Sequence, residues 1–384
     1  MRRLTHVRLP KPKSIDEQNR WCVLLDDQDI VQSVREMQDG SAMAGESWKG
    51  DWLSPMGIDL QINGGLGLSF PELTFDDLPK LFDLLDQLWV DGVEAICPTF
   101  ISCGVSSLHL GLEVLREARH KHRPKSCQLL GAHLEGPFLS QLRNGAHSLE
   151  NLCLPSLAAL EERIRGFENE IDIVTLAPEL SGSLDVVRRL KSLGIVVSLG
   201  HSSADELICQ NAFDNGVTML THAFNAMPGL QHRAPGPIGE ALKNSDIAIG
   251  LIADGVHVHP DMAVILQELA SRQLVLVSDA ISPYGLQDGQ YEWDKRFIVS
   301  KKGSCRLKNG TLAGTTVPLL KTCQNLAEWG GQASAAIWAA TVSPRLVLSK
   351  EKKLTDFLIG KSLSQLLRWH MNSDCDDFSW QRAD

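Results

Sequence analysis

Val196-Val197-Ser198-Leu199-Gly200-His201 is an apolar run that ends on an imidazole, and Val217-Thr218-Met219-Leu220-Thr221-His222 repeats the pattern. Between them, residues 204–215 carry a helical pattern that stops at Gly216. Strand, helix and strand in this order predict a βαβ unit, with two parallel strands whose carboxyl ends lie side by side. One histidine at a strand end is explained well enough as a structural hydrogen-bonding residue. Two at equivalent positions of one unit favour a metal seat, because imidazole is a common ligand and strand ends of this kind collect functional groups.

The same alternation extends in both directions. Apolar strand candidates fall at 56–63, 94–99, 129–135, 173–177, 196–199, 218–221, 247–252 and 274–277. Helical patterns at 75–91, 105–122, 157–167, 184–193, 204–215 and 260–271 separate most of them, and a further one at 317–329 follows the last. The connection between the sixth and seventh strands is the weak one, with only 238–243 reading as helix. Eight strands alternating with helices predict an α/β chain folded as a (β/α)8 TIM-like barrel over residues 55–335. A doubly wound open sheet is the runner-up, but no dinucleotide-type glycine fingerprint follows any strand.

Residues 1–54 lack this rhythm. Short strand candidates at 21–25 and 29–34, flanking Asp26-Asp27, predict part of a small β-rich domain. Residues 336–384 form a C-terminal segment expected to pack on it; the polar end, 370–384, either docks on the N-terminal segment or frays.

Composition narrows the function. The chain has 384 residues and a formal net charge of −10, which argues against a nucleic-acid or membrane partner. No run of about 18 apolar residues is present, and the N-terminus lacks the apolar stretch of a secretory signal. Nine cysteines without a C-x-x-C pair read as reduced thiols, placing the chain in the cytoplasm.

In a barrel, the residues at the carboxyl ends of the strands build the active site. Here they are Asp59, Gln61 and Asn63, then His133 and Glu135, Glu179, His201, His222, Asp254 with His257, and Asp279. Taken singly, each is explained as a polar strand end, and Asp279 as a cap or turn residue; as a ring they indicate chemistry. Glu135, His201 and His222 supply one carboxylate and two imidazoles, a set that suits Zn2+, with Fe2+ second, and leaves a position for water. A bound metal of this kind makes hydroxide available near neutral pH. Asp279 is placed to take the water's proton and pass it to a departing amine. His133 shares a strand face with Glu135 and either steadies a ligand from behind or serves the fold.

With these residues in view, the chain resembles the N-acetylglucosamine-6-phosphate deacetylase family of the amidohydrolase superfamily. The matching stretches include Gly57-Ile58-Asp59-Leu60-Gln61-Ile62-Asn63-Gly64-Gly65, His133-Leu134-Glu135-Gly136-Pro137-Phe138, Asn144-Gly145-Ala146-His147, Gly200-His201-Ser202, Thr221-His222-Ala223-Phe224-Asn225-Ala226-Met227, Asp254-Gly255-Val256-His257 and Ser278-Asp279-Ala280. They fall in barrel order and span residues 55 to about 330. The resemblance implies hydrolysis of a phosphorylated N-acetyl amino sugar to glucosamine 6-phosphate and acetate in amino-sugar metabolism. It implies one divalent metal on Glu135, His201 and His222, Asp279 as base and then acid, and His147 polarising the amide carbonyl. The sugar phosphate would be held by Asn225, Ala226, Arg233 and His257, with Asp254 beside them, and the rest of the sugar by Ala146, Leu312, Ala313 and Gly314. In the family, the arginine matching Arg233 reaches into the neighbouring subunit, which implies a homodimer.

Two departures stand out, one from the wider superfamily and one from the family itself. Most amidohydrolases hold a second metal with His-x-His after the first strand; here Gln61 and Asn63 mark a vestigial second-metal position, and neutral amides are poor zinc ligands. The family's glycine-rich closing strand has only a distant echo, at 352–360. Other amidohydrolases, such as cyclic-amide hydrolases, are the nearest rivals, but no lysine stands at a strand end. A non-catalytic sugar-phosphate sensor would be expected to lack a ligand or the shuttle, and all four residues are present.

Overall fold

The eight apolar runs of the central region form eight parallel strands in the computed structural model of the protein, which describes residues 2–12, 20–38, 44–349, 353–371 and 378–384. The strands are Gly57–Ile62, Val93–Ile101, Ala132–Glu135, Ile171–Leu176, Val196–Leu199, Val217–Leu220, Ala248–Leu251 and Leu274–Leu276, and they neighbour one another in chain order. The eighth meets the first through a bridge between Ile62 and Ala280. Around it, the Asp279 N–H donates to the Gln61 carbonyl at 2.9 Å and the Asn63 N–H to that of Ala280 at 2.7 Å. The carboxylate of Asp59 seals the same seam, accepting the backbone N–H groups of Gln61 and Ser278, each at 3.2 Å. The chain is thus a (β/α)8 barrel.

Alternate strand residues explain why these runs are apolar throughout. Leu134, Leu176, Leu199, Leu220, Leu251 and Leu276 pack outward against helix residues such as Leu112, Val187, Leu190 and Ala212. Leu60, Cys97, Ile173, Met219, Val275 and Val277 form a separate inner cluster. Burying each large side chain contributes about 1.5–3 kcal/mol. The helices carry their own start signals: Ser156 and Asp205 accept backbone N–H groups at the first turns of Leu157–Ile164 and Glu206–Asn215.

Two features differ from the sequence reading. The run at 129–135 is two pieces: Gln128–Leu129 pairs with the second strand, and Ala132–Glu135 then continues between the second and fourth. Gly131 makes the break, because its N–H donates to Asp172 and a Cβ there would lie 2.4 Å from the Asp172 carboxyl carbon. After the eighth strand, an antiparallel sheet of Gly289–Trp293, Arg296–Lys301, Ser304–Leu307 and Leu312–Thr315 is inserted, which the alternation of strands and helices did not announce. Its turns at Asp294-Lys295 and Lys302-Gly303 hold both central residues at positive φ, as tight hairpins require. At the C-terminal end, Leu366–Met371 and Phe378–Arg382 form a sheet with Trp52–Pro55, so of the two courses expected for it docking is the one taken.

A second small sheet, Val31–Glu36, Trp21–Leu25, Arg2–Val7 and Glu46–Ser47, lies in the N-terminal segment. The two segments share one core, in which Leu4, Val23, Trp48 and Leu53 pack with Leu358, Leu363 and Leu366. Helices Ala333–Thr341 and Ser343–Leu348 pack against the first and eighth barrel strands. Among the described residues, no helix is long and apolar enough to cross a membrane.

Candidate metal centre and its cavity

His201, His222 and Asp279 lie just beyond the ends of the fifth, sixth and eighth strands, after Gly200, Thr221 and Val277-Ser278, and all three hold left-handed backbone, with φ of 47°, 29° and 48°. Non-glycine residues pay roughly 1–3 kcal/mol for such conformations, and here the bend comes where the strand stops and the side chain faces the barrel axis. Glu135 reaches the same point from the end of the third strand. Its Oε1 lies 3.1 Å from Nε2 of His201 and 2.9 Å from Nε2 of His222, and the two nitrogens are 3.1 Å apart. All three side chains are buried.

The hydrogen bonds behind this cluster decide what it can hold. His201 Nδ1–H donates to the carbonyl of Arg143 at 2.8 Å. A carbonyl only accepts, so the proton of a neutral imidazole is on Nδ1 and the Nε2 lone pair faces Glu135. Two acceptors 3.1 Å apart in a buried place repel unless a cation lies between them, so the donor set fits a divalent metal. Burial works against the charge on Glu135, but the His201 and His222 imidazoles hold its carboxyl well below the usual range.

His147 stands nearby, with Nε2 3.9 Å from Glu135 Oε2, and Glu135, His147 and His201 also meet the spacing of a metal group. Its tautomer separates it from the ligands. The Ser102 backbone N–H donates to His147 Nδ1 at 3.2 Å, so Nε2 carries the proton and is a donor into the site. Burial, then the neighbouring His201, pushes its pKa down to about 3, so the ring is neutral at pH 7.

Gln61 and Asn63 connect the two carboxylates. Gln61 Nε2 donates to Glu135 Oε1 at 3.1 Å and to Asp279 Oδ1 at 3.4 Å, and Asn63 Nδ2 donates to Asp279 Oδ1 at 2.7 Å. Burial, then the charge of Glu135, raises the Asp279 carboxyl well above its ordinary value. His133 lies one layer below. Its Nδ1–H donates to the Leu60 carbonyl at 2.9 Å, and its Nε2 accepts from Thr175 at 2.7 Å. The hydroxyls of Thr175, Thr221 and Ser198 continue this chain beneath the ligands, so His133 orders the floor of the site.

Above the cluster is a cavity of ≈ 330 Å³. Asn63, Glu135, Ala146, His147, His201, His222, Asn225, Ala226, His257, Asp279, Leu312 and Ala313 all line it. Asp254 and Gly314 do not reach its wall. Asp254 instead holds His257: its Oδ2 accepts from His257 Nδ1 at 2.7 Å, and its Oδ1 accepts the N–H groups of Val256 and His257. Gly314, at φ +146°, is packed so that a Cβ would meet the Asp279 carbonyl at 2.6 Å. Glu179 accepts from Ser202 Oγ and the Ser203 N–H and so braces the turn after His201. Arg233 is exposed on the loop before Gly236–Leu242, away from the cavity of its own chain. Arg143 and Trp293 line the cavity without having been read from sequence; Trp293 comes from the inserted sheet, whose only signal was the alternation around Asp294-Lys295.

No family model matches the chain. It is similar to N-acetylgalactosamine-6-phosphate deacetylase of Escherichia coli O157:H7, with 33% identity over 81% of this chain and 82% of the relative. It is 36% identical to N-acetylglucosamine-6-phosphate deacetylase of Bos taurus, over 78% of this chain and 75% of the relative. The crystal structure of N-acetylglucosamine-6-phosphate deacetylase from Pasteurella multocida superposes with a TM-score of 0.79 at 25% identity, covering 99% of both chains. By its sequence, its barrel and the residues gathered at the barrel mouth, the chain belongs to the N-acetylglucosamine-6-phosphate deacetylase family of hydrolases.

Proposed function

We propose that the protein hydrolyses N-acetylglucosamine 6-phosphate to glucosamine 6-phosphate and acetate, in the cytoplasm, as a homodimer with one divalent metal per subunit. The observation that carries this reading is the convergence of Glu135 Oε1 and the Nε2 atoms of His201 and His222 beneath a cavity that Asp279 and His147 also face. Glu135, His201 and His222 would hold the metal, Zn2+ by donor type with Fe2+ second, and a metal there supplies water activation at neutral pH.

The protein's own groups divide the remaining work. The Nε2–H of His147 donates to the amide carbonyl, where negative charge develops as water adds. Asp279, whose carboxylate form the amide donors of Asn63 and Gln61 stabilise, accepts the proton of the attacking water. It returns that proton to the amide nitrogen as the C–N bond breaks, so one water and one amide become an amine and a carboxylic acid. The high proton affinity that burial gives Asp279 suits both halves of this exchange. Asn225, Ala226 and the Asp254-braced His257 bind the phosphate end, with Arg233 arriving from the neighbouring subunit, and Ala146, Leu312 and Ala313 contact the sugar. Gly314 acts by leaving room for Asp279.

The Escherichia coli relative is named for the galacto epimer, which makes N-acetylgalactosamine 6-phosphate the second reading. Acetate release from both epimers by purified protein, before and after chelation and zinc re-addition, tests the proposal. Release lost on chelation and restored by zinc is expected, with the epimer turned over at higher kcat/KM taken as the substrate. No release from either in a metal-loaded sample would overturn it.

A further inference from the structure

The loop between the third strand and its helix is strapped to the residues that follow the fifth strand. The Ser140 N–H donates to the His201 carbonyl at 2.9 Å, His201 Nδ1–H donates back to the Arg143 carbonyl at 2.8 Å, and Arg143 Nε donates to Ser203 Oγ at 3.2 Å. These bonds fix both the backbone and the side chain of Arg143, which is partly buried and lines the cavity.

Arg143 differs from the other basic groups near the site in having no counter-charge. His257 is paired with Asp254 at 2.7 Å and Arg296 with Asp294 at 2.6 Å. Arg143 makes its one side-chain hydrogen bond to a neutral hydroxyl and forms no ion pair among the described residues. A guanidinium held in a cavity wall with most of its donors unspent is suited to a planar, two-pronged anion contact. Its position narrows which part of a ligand it meets. The Ser202 N–H donates to the Ala226 carbonyl at 3.1 Å, so the Ser203 hydroxyl that tethers Arg143 adjoins the Asn225-Ala226 turn.

We infer that Arg143 is an anion-recognition residue supplied by each chain to its own cavity, pairing with the phosphate of the substrate next to the Asn225-Ala226 turn. This rests on the reading of the substrate as a phosphorylated amino sugar. It also gives each cavity a cation from its own chain, since Arg233 lies outside it. Arg143 receives the His201 hydrogen bond on its backbone carbonyl, so side-chain truncation is expected to spare the metal seat.

Two measurements on the zinc-loaded, full-length protein separate this inference from the reading beneath it. The first is calorimetric binding of glucose 6-phosphate, a phosphorylated hexose with no amide to cleave, to wild type, Arg143→Ala and Arg143→Lys. The inference predicts affinity lower by roughly ten- to a hundredfold in Arg143→Ala, partly recovered in Arg143→Lys, with zinc content equal in all three. Equal affinity in wild type and Arg143→Ala, or loss of zinc in the variant, would overturn it. The second is acetate release from N-acetylglucosamine 6-phosphate, where the inference places the larger loss in KM rather than kcat. A wild type that binds glucose 6-phosphate through Arg143 yet releases no acetate would overturn the deacetylase reading and leave the anion site standing.

Discussion

The side-chain amide of Asn63 donates to Oδ1 of Asp279 at 2.7 Å, which sets a neutral donor against the carboxylate that follows the eighth strand. Asp279 is buried beside Glu135, and both effects favour its protonated form. Asn63 and Gln61 oppose that by stabilising the carboxylate. Replacing Asn63 by Leu removes the closer donor, and a hydrogen bond to a charged group contributes about 1.5–3 kcal/mol. Turnover is expected to fall roughly ten- to a hundredfold, with zinc content unchanged; steady-state kinetics with metal analysis checks it.

His147 gives a prediction in pH as well as rate. With Nδ1 accepting from Ser102, the working form is the neutral ring, and burial holds its pKa near about 3. No limb of the pH–rate profile between 5 and 8 should therefore belong to His147. The linkage has a definite sign. A histidine whose folded pKa is depressed favours the folded state above its unfolded value of about 6.5, and that contribution is lost as pH falls from there toward about 3. His147→Phe should lower kcat by roughly a hundred- to a thousandfold, as loss of one donor to a developing oxyanion does, and should flatten the stability profile below pH 6.5.

Glu94 links the barrel to the C-terminal segment. It lies at the start of the second strand, pairs with Arg345 and meets Lys361 at 2.5 Å, with its side chain 11% exposed. Burial disfavours its charge, but Arg345 and then Lys361 outweigh that and lower its pKa. The stabilisation is present above the unfolded carboxyl value and is lost as pH falls through the lower folded one. Glu94→Gln strands the Arg345 charge and should destabilise the protein by about 3–5 kcal/mol, read by denaturant unfolding, while kcat per folded molecule is unchanged.

The assignment of Arg233 to the neighbouring subunit has a direct test. Arg233→Ala and Asp279→Asn proteins should each be nearly inactive at low substrate. Mixed and allowed to exchange subunits, they form dimers in which one site has both an intact shuttle and a partner's arginine. Activity should return on mixing; a mixture no more active than its parts would contradict arginine supply between subunits.

Much of this was legible because the barrel is written in a local code. Strands buried on both faces read as short apolar runs, and a polar residue ending such a run has few reasons to be there other than the site. Glu135, His201, His222 and Asp279 were found that way. His257 was read with Asp254 after the seventh strand, whereas His147 and Asn225 lie in loops, where no periodicity marks them, and came only through resemblance to a family. Asp254 and Gly314 were expected to touch substrate but stand behind His257 and Asp279, a distinction that depends on side-chain direction. The inserted sheet was missed because its strands alternate exposed and buried residues over only a few positions. Trp293, on one of those strands, was missed with it, and Arg143 because its role depends on a strap to residues 201–203, distant in sequence.

The central claim is that Asp279 shuttles the proton in an amide hydrolysis at this cavity. The most direct test is acetate release from N-acetylglucosamine 6-phosphate by zinc-loaded wild type and Asp279→Asn, with substrate binding and zinc content measured in both. The account predicts rapid release by wild type and a loss of about ten-thousandfold in the variant, in the range seen when a general base is removed, with zinc and substrate still bound. An Asp279→Asn protein that releases acetate at the wild-type rate would contradict it.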